Sequence, residues 1–271
     1  KAQIIIGELA DDITEKVELL VISPGVPVDS PLVKKFEEAG VPVWGEIELA
    51  YNYDKGRIIA ITGTNGKTTT TALVGQIVRA YNEQTYVVGN IGNSYTGEVL
   101  KTSENSYTVA EISSFQLETV HRFHPVVSAI LNITPDHLNR HHTMECYAHT
   151  KERIAENQTK DDVCVLNMED EELYRFGSEC KASVVWFSSK RKPDKGAYLD
   201  GDDIRYTDGT QDKLMLNIHD MNLLGTHNYE NVCAAIAMTK AVGIPDDIII
   251  EQVKCFKAVE HRIEYVATKK G

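Results

Sequence analysis

The stretch Arg57–Thr62, RIIAIT, followed by residues 63–70, GTNGKTTT, determines the fold of this chain. Its first part is apolar on consecutive positions, as in a buried parallel strand, and its second part joins a glycine-containing turn to a helix. Phosphate binding needs backbone N–H groups that can converge and a helix N-terminus whose dipole favours anions. A lysine at this point supplies charge to the β- and γ-phosphates, and the hydroxyl that follows can bind Mg²⁺. The stretch therefore predicts a nucleotide site in an α/β domain.

The loop is a shortened variant of the Walker pattern. The full pattern requires a glycine five positions before Gly66, where this chain has Ile61. A plain strand-to-helix turn is the alternative, but strand, GxxGKT and helix follow in the order that a phosphate site needs. The predicted phosphate-binding residues are Gly63, Thr64, Asn65, Gly66, Lys67, Thr68, Thr69 and Thr70.

Strand-like and helix-like segments alternate on both sides of this loop. Predicted strands cover Glu18–Ser23, Val41–Trp44, Thr85–Val88, Tyr107–Ile112, Val126–Ile133, Asp162–Leu166 and Val184–Phe187. Predicted helices cover Leu32–Ala39, Glu46–Tyr53, Lys67–Arg79, Met144–Asn157, Asn228–Val242 and Pro245–Phe256. This rhythm favours a parallel sheet with helices packed on it. The polar, glycine-containing segment Lys190–Asn217 predicts an antiparallel hairpin region at one side.

Composition limits the class of protein and its partners. Of the 271 residues, 42% are hydrophobic and 25% charged, as in an ordinary soluble globular chain. The net charge of −12 disfavours nucleic acid as a partner. No apolar run approaches the roughly 20 residues of a membrane span. Five cysteines without CxxC spacing indicate reduced thiols and a cytoplasmic protein. Because the chain starts at Lys1 and stops in mid-pattern, we expect a piece of something longer.

Two further positions follow predicted strands and are candidates for metal binding. Glu111 ends the strand before Ser113-Ser114, and a carboxylate there faces the crevice where open α/β sheets bind ligands. A solvated acid at the end of a strand is an equally good interpretation. His137 lies in a loop after the Val126 strand, where a surface or hydrogen-bonding role is the commoner alternative.

Lys151 lies on the predicted helix Met144–Asn157, and the residues alone favour a solvated helical lysine. A protonated lysine cannot bind a cation, so only covalent conversion to an anion would make it a ligand. The nearby His141, His142 and His149 do not have the spacing of a structural zinc site.

Five motifs in order resemble one known family. They are the GTNGKTTT loop, EISSFQLE at 111–118, NITPDHLNRH at 132–141, LLGTHNYEN at 223–231 and HRIE at 261–264. Together they resemble the Mur ligases, the ATP-dependent amino-acid-adding enzymes of peptidoglycan synthesis. The SSFQLE and NITPDHLNRH segments are most similar to the branch that adds D-glutamate to UDP-N-acetylmuramoyl-L-alanine.

The resemblance implies a domain organisation. Residues 1–53 correspond to the C-terminal part of a UDP-binding Rossmann-like domain, and residues 54–258 to the central ATP-binding domain. Residues 259–271 correspond to the truncated start of the C-terminal domain that binds the incoming amino acid. The expected fold is thus α/β, a P-loop central domain with a mainly parallel sheet, preceded by part of a Rossmann-like domain.

The resemblance also implies roles for particular residues. Lys67 and Thr68 would hold the ATP phosphates and a first Mg²⁺, with Glu111 as a further ligand, and His137 would serve a second Mg²⁺. Lys151 corresponds to the lysine that is carbamylated in the family. The remaining implied contacts are Asn228 and Asn231 near the adenine, Arg262 on ATP, and Gly25 and Asn90 on the uridine-linked substrate.

The implied reaction is formation of an acyl phosphate on the L-alanine carboxylate, followed by attack of the D-glutamate amine, in a cytoplasmic monomer. Another ligase of the same fold, such as a different Mur enzyme or folylpolyglutamate synthase, is the first alternative. A nucleotide-binding fragment without turnover is the second, since the glutamate pocket would lie outside this chain. A GTP-binding switch protein is disfavoured because no NKxD motif is present.

Overall fold

The computed structural model describes residues 4–7 and 9–257. Arg262 and the segment 259–271, which the sequence assigns to a further domain, lie outside the described residues.

The described chain alternates between strands and helices. The strands are β1 (Leu20–Ile22), β2 (Val43–Gly45), β3 (Arg57–Thr62), β4 (Thr85–Gly89), β5 (Tyr107–Glu111), β6 (Val127–Ile130), β7 (Val163–Asn167), β8 (Ser183–Ser188), β9 (Gly196–Asp200), β10 (Asp203–Thr207) and β11 (Asp212–Asn217). The helices are α1 (Pro31–Glu38), α2 (Glu46–Tyr51), α3 (Lys67–Tyr81), α4 (Tyr95–Glu98), α5 (Ser114–Leu117), α6 (Leu138–His141), α7 (Met144–Glu152), α8 (Glu171–Glu179), α9 (Thr226–Val242) and α10 (Asp246–Cys255). Within the described part of the chain, no helix is both long and apolar enough to cross a membrane.

Nine strands form one sheet in the order β11-β10-β9-β8-β7-β6-β3-β5-β4. All neighbours from β4 to β9 are parallel, whereas β9, β10 and β11 pair antiparallel. The predicted mainly parallel sheet is therefore confirmed, and so is the predicted hairpin region. A separate two-stranded parallel sheet joins β1 to β2.

Helices cover both faces of the large sheet, and β3 is buried between them. Ile59 and Ile61 belong to the hydrophobic core under α3, α9 and α10, whereas Ile58 and Ala60 belong to the core under α2, α7 and α8. Successive residues of a strand point to opposite faces, so a strand that is covered on both sides is apolar at every position. This burial explains the unbroken apolar run that precedes the loop.

Two predicted elements end well before their expected last residue, and one of the longer helices was not predicted. The strand expected over Val126–Ile133 ends at Ile130, because the Ile133 N–H donates to the Asp170 carboxylate at 2.7 Å instead of a neighbouring strand. The helix expected over Met144–Asn157 ends at Glu152 and tightens into a 3₁₀ turn, Arg153–Ala155. Helix α8, which Asp170 caps, was not predicted.

Helix α2 is fixed to the large sheet through one buried carboxylate. Glu48 is fully buried, and its two oxygens accept the backbone N–H groups of His121, Arg122 and Phe123 at 2.9, 2.9 and 3.1 Å. These three residues lie in the loop before β6, where an N–H group has no strand to pair with. The carboxylate acts as the acceptor instead. Three donors satisfy the carboxylate, which offsets the cost of burying it.

We expect Glu48→Gln to lower the free energy of unfolding by about 3 kcal/mol, because the amide nitrogen would face backbone donors inside the protein. Urea unfolding would measure the change. The matched control is Glu38→Gln on the exposed end of α1, for which we expect a change within about 0.5 kcal/mol. Equal effects of the two substitutions would contradict the role of Glu48 as an anchor.

Candidate active site

The carboxyl ends of four parallel strands meet at one edge of the sheet. Glu111 lies opposite Ile61 on one side and Gly89 on the other, and Thr62 lies opposite Ile130. The loops that follow these strands therefore share the crevice where open α/β sheets bind ligands. The predicted loop 63–66 lies at its centre.

The loop requires glycine at its last position. Gly66 has φ +84°, and a Cβ placed on it would lie 2.3 Å from Oδ1 of Asn231. A side chain there would be strained and would collide with α9, whereas glycine permits both the left-handed backbone and the close approach. Helix α3 begins at the next residue, Lys67, so its N-terminal N–H groups face the crevice.

Lys67 folds back over the loop from the first turn of α3. Its Nζ donates to the carbonyl oxygens of Gly63 and Thr64, each at 2.9 Å. The ammonium group is therefore held beside the helix N-terminus, where it adds a full positive charge to the partial charge of the helix dipole. An anion in the crevice would meet both.

Asn132, which lies just after β6, holds the loop. Its Oδ1 accepts the N–H of Asn65 at 2.8 Å and its Nδ2 donates to the Asn65 carbonyl at 3.1 Å. The Asn132 carbonyl also accepts the Thr64 N–H at 2.9 Å. The sequence motif contained Asn132, but no role was predicted for it. Its position directly after a strand that neighbours β3 was the available signal.

Glu111 is buried, with 1% of its surface exposed, which excludes the interpretation as a solvated acid. Its Oε1 accepts a hydrogen bond from the Asn90 amide at 2.8 Å. Its Oε2 has no hydrogen-bond partner among the described residues. Three other buried side-chain oxygens in this part of the chain also have none, and all three are threonine hydroxyls. Buried polar atoms are nearly always paired, so this oxygen is suited to a cation.

The residues fit a magnesium ion better than a metal held by the protein alone. Among residues 4–7 and 9–257, no group of three or more His, Cys, Asp or Glu side chains is arranged to hold a metal. Mg²⁺ commonly takes one or two protein ligands and completes its shell with phosphate oxygens and water. Glu111 and the half-buried Thr68 beside the loop meet that requirement.

Lys151 is not the solvated helical lysine that the residues alone favoured. Only 2% of it is exposed, its Nζ donates to the Gly63 carbonyl at 2.9 Å, and it lies 4.7 Å from the centroid of the Tyr147 ring. Burial, with a smaller contribution from the nearby charge of Lys67, lowers the pKa of Lys151 to about 7, and Asp136 opposes the shift. An amine that is partly neutral near pH 7 can react with an electrophile.

His137 is placed at the rim of the crevice. Its side chain is 49% exposed, its backbone has φ +50°, and its Nε2 lies 3.4 Å from the Asp136 carboxylate. Its ring packs 4.9 Å from that of Phe115. The described residues contain no hydrogen bond or ion pair that joins His137 to Glu111 or Lys151.

A cavity of about 410 Å³ lies beside the loop. Its lining residues are Asn65, Gly66, Leu131, Asn132, Phe187, His227, Glu230 and Asn231. The cavity thus includes the predicted Asn231 but not Asn228, whose amide donates to the Leu224 carbonyl at 2.7 Å. Phe187, His227 and Glu230 were not predicted. The last two lie within the LLGTHNYEN motif, on the same helix as Asn231, which was the available signal.

Gly25 and Asn90 lie on different parts of the described chain. Gly25 is exposed in a turn closed by a 2.9 Å hydrogen bond from the Val26 N–H to the Ser23 carbonyl. Arg140, on the helix that follows His137, donates to the Val26 carbonyl at 2.9 Å and pairs with Glu118. Asn90 contacts Glu111 directly, as described above. The structure therefore gives Asn90 a hydrogen-bond partner within the site and links the Gly25 turn to the site's rim.

A strand, a glycine loop, a lysine at the start of a helix and a buried acid on the adjacent strand define a P-loop site in an α/β protein. The sequence profile of the Mur ligase middle domain matches residues 61–239. The chain belongs to the Mur ligase family, and the resemblance noted in the sequence is confirmed.

Two relatives of high sequence identity carry the same name. The chain is 80% identical over its whole length to the UDP-N-acetylmuramoylalanine--D-glutamate ligase of Lachnospira eligens, and 51% identical to that of Lachnoclostridium phytofermentans. It spans about 60% of the length of each of these relatives.

Solved structures of other Mur ligases share the fold. A UDP-N-acetylmuramoyl-L-alanyl-D-glutamate--2,6-diaminopimelate ligase matches with a TM-score of 0.67 and 19% identity over 94% of this chain and 64% of that one. MurC from Thermotoga maritima matches with a TM-score of 0.61 and 22% identity over 93% of this chain and 57% of that one.

The buried amine of Lys151 predicts a pH-dependent contribution to stability. Below about pH 7 the amine is protonated in both states, whereas at higher pH only the unfolded chain keeps the proton. Relative to Lys151→Met, the free energy of unfolding of the unchanged protein should therefore rise by about 1.4 kcal/mol per pH unit between about pH 7 and pH 9. Urea unfolding at several pH values measures this difference. A difference that does not change with pH would mean that Lys151 keeps an ordinary pKa.

Proposed function

We propose that the protein containing this chain is an ATP-dependent ligase that adds D-glutamate to UDP-N-acetylmuramoyl-L-alanine in the cytoplasm. The observation that carries the proposal is the P-loop with Lys67, which has a cavity of about 410 Å³ beside it and, on the adjacent strand, the buried Glu111 with an oxygen that has no partner among the described residues. The 80% identity to a protein named as this ligase supports the choice of substrates.

The first task of the site is to hold the triphosphate of ATP, a substrate of the reaction. The N–H groups of the loop 63–66 and the first turn of α3 would bind phosphate oxygens, and Lys67 would add a positive charge. A carboxylate that attacks the γ-phosphoryl group is itself an anion, so the two substrates repel each other. Positive charge held in a fixed position by the Gly63 and Thr64 carbonyls reduces that repulsion without reorganisation.

Glu111 and Thr68 would hold the first Mg²⁺, and Asn90 keeps the carboxylate of Glu111 in position through Oε1. Bound Mg²⁺ supplies positive charge that neutralises phosphate oxygens. His137 would serve a second ion from its place at the rim of the crevice.

Lys151 suits carbamylation by carbon dioxide, which reacts with a neutral amine. The side chain is buried and points at the Gly63 carbonyl beside Lys67. Conversion of its amine to a carbamate would replace a buried cation, next to another cation, by an anion that attracts Lys67 and a metal ion. Two like charges at the loop would become an opposite pair.

The other proposed contacts follow from the places of the residues around the crevice. The cavity beside Gly66 would take the adenine, with Asn231 on its wall and Asn228 one turn earlier on α9. Gly25 and Asn90 would contact the uridine-linked substrate. D-Glutamate and the contact of Arg262 with ATP belong to the part of the protein beyond residue 257.

Two alternatives differ from this proposal. The first differs in the acceptor amino acid, and the second in the absence of turnover. Another ligase of the same fold, such as a different Mur enzyme or folylpolyglutamate synthase, would use the same ATP site with a different amino acid. The isolated chain of 271 residues is proposed to bind nucleotide without turnover, because the implied D-glutamate pocket lies outside it.

We expect Lys67→Ala to weaken binding of MgATP at least about 100-fold, because it removes the fixed positive charge from the phosphate loop. Isothermal titration calorimetry measures the affinity. The matched control is Lys55→Ala, which removes an exposed lysine just before β3 and should leave the affinity unchanged. Retained affinity in Lys67→Ala would show that the loop is not the phosphate site.

The function is tested by phosphate release from ATP with the complete protein, omitting one substrate at a time. We expect release to require both UDP-N-acetylmuramoyl-L-alanine and D-glutamate. Release with a different amino acid would indicate another ligase of the fold, and release without either substrate would indicate a general ATPase.

In the same assay, Lys151→Ala should lose at least about 100-fold in rate, and bicarbonate should not restore it. A rate equal to that of the unchanged protein would exclude a role for a Lys151 carbamate.

A further inference from the structure

Glu230 lies on the wall of the cavity beside the P-loop, and none of the proposed steps uses it. It is half-buried on α9, directly before Asn231, and it lines the cavity together with Leu131 and Phe187. A carboxylate close to bound phosphate would repel it, because both groups are anions. What Glu230 can contact therefore depends on its distance from the phosphate loop.

The contact of Glu230 with the end of β8 places it away from the loop. Ser189 directly follows β8, and its hydroxyl donates to Oε1 of Glu230 at 2.5 Å. β7 and β6 lie between β8 and β3, so three strand spacings of about 4.8 Å put the end of β8 about 14 Å from the end of β3. This separation exceeds the screening length of about 8 Å at physiological salt, so Glu230 is compatible with an anionic ligand on the loop.

The loop after β8 holds Ser189 in a fixed position. The hydroxyl of the preceding Ser188 accepts two backbone N–H groups of this loop at 3.0 and 2.9 Å and donates to the Glu169 carboxylate at 2.6 Å. Within the described part of the chain, Ser189 is the only hydrogen-bond donor to Glu230, and it uses Oε1. Oε2 can therefore accept a hydrogen bond from a ligand in the cavity.

A carboxylate in a fixed position distinguishes the purine bases at one carbon atom. Adenine carries an amino group at C6, which is a hydrogen-bond donor, whereas guanine and hypoxanthine carry a carbonyl oxygen there, which is an acceptor. An ionised carboxylate only accepts, so it binds the amino group and repels the carbonyl oxygen. A site built to hydrogen-bond one group strongly rejects an analogue that lacks this group.

We propose that Glu230, held by Ser189, selects ATP over other purine nucleoside triphosphates by accepting a hydrogen bond from the C6 amino group of adenine. The proposal rests on the proposed function, in which this cavity takes the adenine. Leu131 and Phe187, which belong to the hydrophobic core, give the cavity an apolar surface suited to the faces of a base. Ser189 is a positioning residue, because it acts on the nucleotide only through the carboxylate.

The test compares the binding of MgATP and MgITP to the complete protein by isothermal titration calorimetry. ITP carries hypoxanthine, so the amino group at C6 is replaced by a carbonyl oxygen. We expect the unchanged protein to bind ATP at least about 100-fold more tightly than ITP. Glu230→Gln should narrow this ratio at least about 10-fold, because an amide can turn either an acceptor or a donor towards the base.

Two further variants accompany this measurement. Ser189→Ala keeps the carboxylate but frees it to move, and it should narrow the ratio of ATP to ITP affinity by about 3-fold. The matched control is Glu251→Gln, which changes an exposed acid on α10 and should leave the ratio unchanged.

The affinity ratio separates this proposal from the assignment of the ATP site. Equal weakening of both nucleotides in Glu230→Gln would overturn selection of the base and leave the phosphate loop as assigned. If Glu230→Gln instead narrows the preference for ATP over 2′-deoxy-ATP and leaves the ATP-to-ITP ratio unchanged, the carboxylate contacts the ribose and the proposal is overturned. An unchanged protein that does not bind MgATP would overturn the proposed function, and this proposal with it.

Discussion

The carbonyl oxygen of Gly63 accepts hydrogen bonds from two lysines, Lys67 and Lys151, each at 2.9 Å. This shared acceptor brings α3 and α7 together over the end of β3, and the rest of the site is arranged around it. Two ammonium groups on one oxygen repel each other, and burial adds to the cost for Lys151. The pair therefore favours loss of one proton, and burial assigns that loss to Lys151 because Lys67 is the more exposed of the two.

Local sequence was sufficient for the framework of the site. The unbroken apolar run of β3 predicted a strand buried on both faces, and the glycine loop and Lys67 predicted the turn and the helix that follow it. The antiparallel region after Lys190 was predicted from its glycines and polar composition. These features depend on local backbone preferences and on residues that are close together in the sequence. A single sequence is therefore enough to predict them.

The contacts that complete the site depend on residues distant in sequence, so local pattern could not predict them. Asn132 binds Asn65 across 67 positions, and Lys151 reaches Gly63 across 88. On its own helix Lys151 looks solvated, and only the packing of α7 against the sheet shows that it is buried. The early end of the strand that was expected to reach Ile133 has the same kind of cause. The Asp170 carboxylate, distant in sequence, accepts the backbone N–H of Ile133.

The Glu48 anchor joins the first part of the chain to the large sheet. Detaching α2 would leave a buried carboxylate and three backbone N–H groups without partners, so α2 moves with the large sheet as one body. Gly45, directly before α2, packs so closely on Thr119 that a Cβ would lie 2.2 Å from its hydroxyl, which fixes this position as well. The Val43 carbonyl of β2 also lies 2.8 Å from Nε2 of His121, so β2 is held by the same loop as α2. A force applied to the two-stranded sheet would therefore reach the start of β6 through this loop.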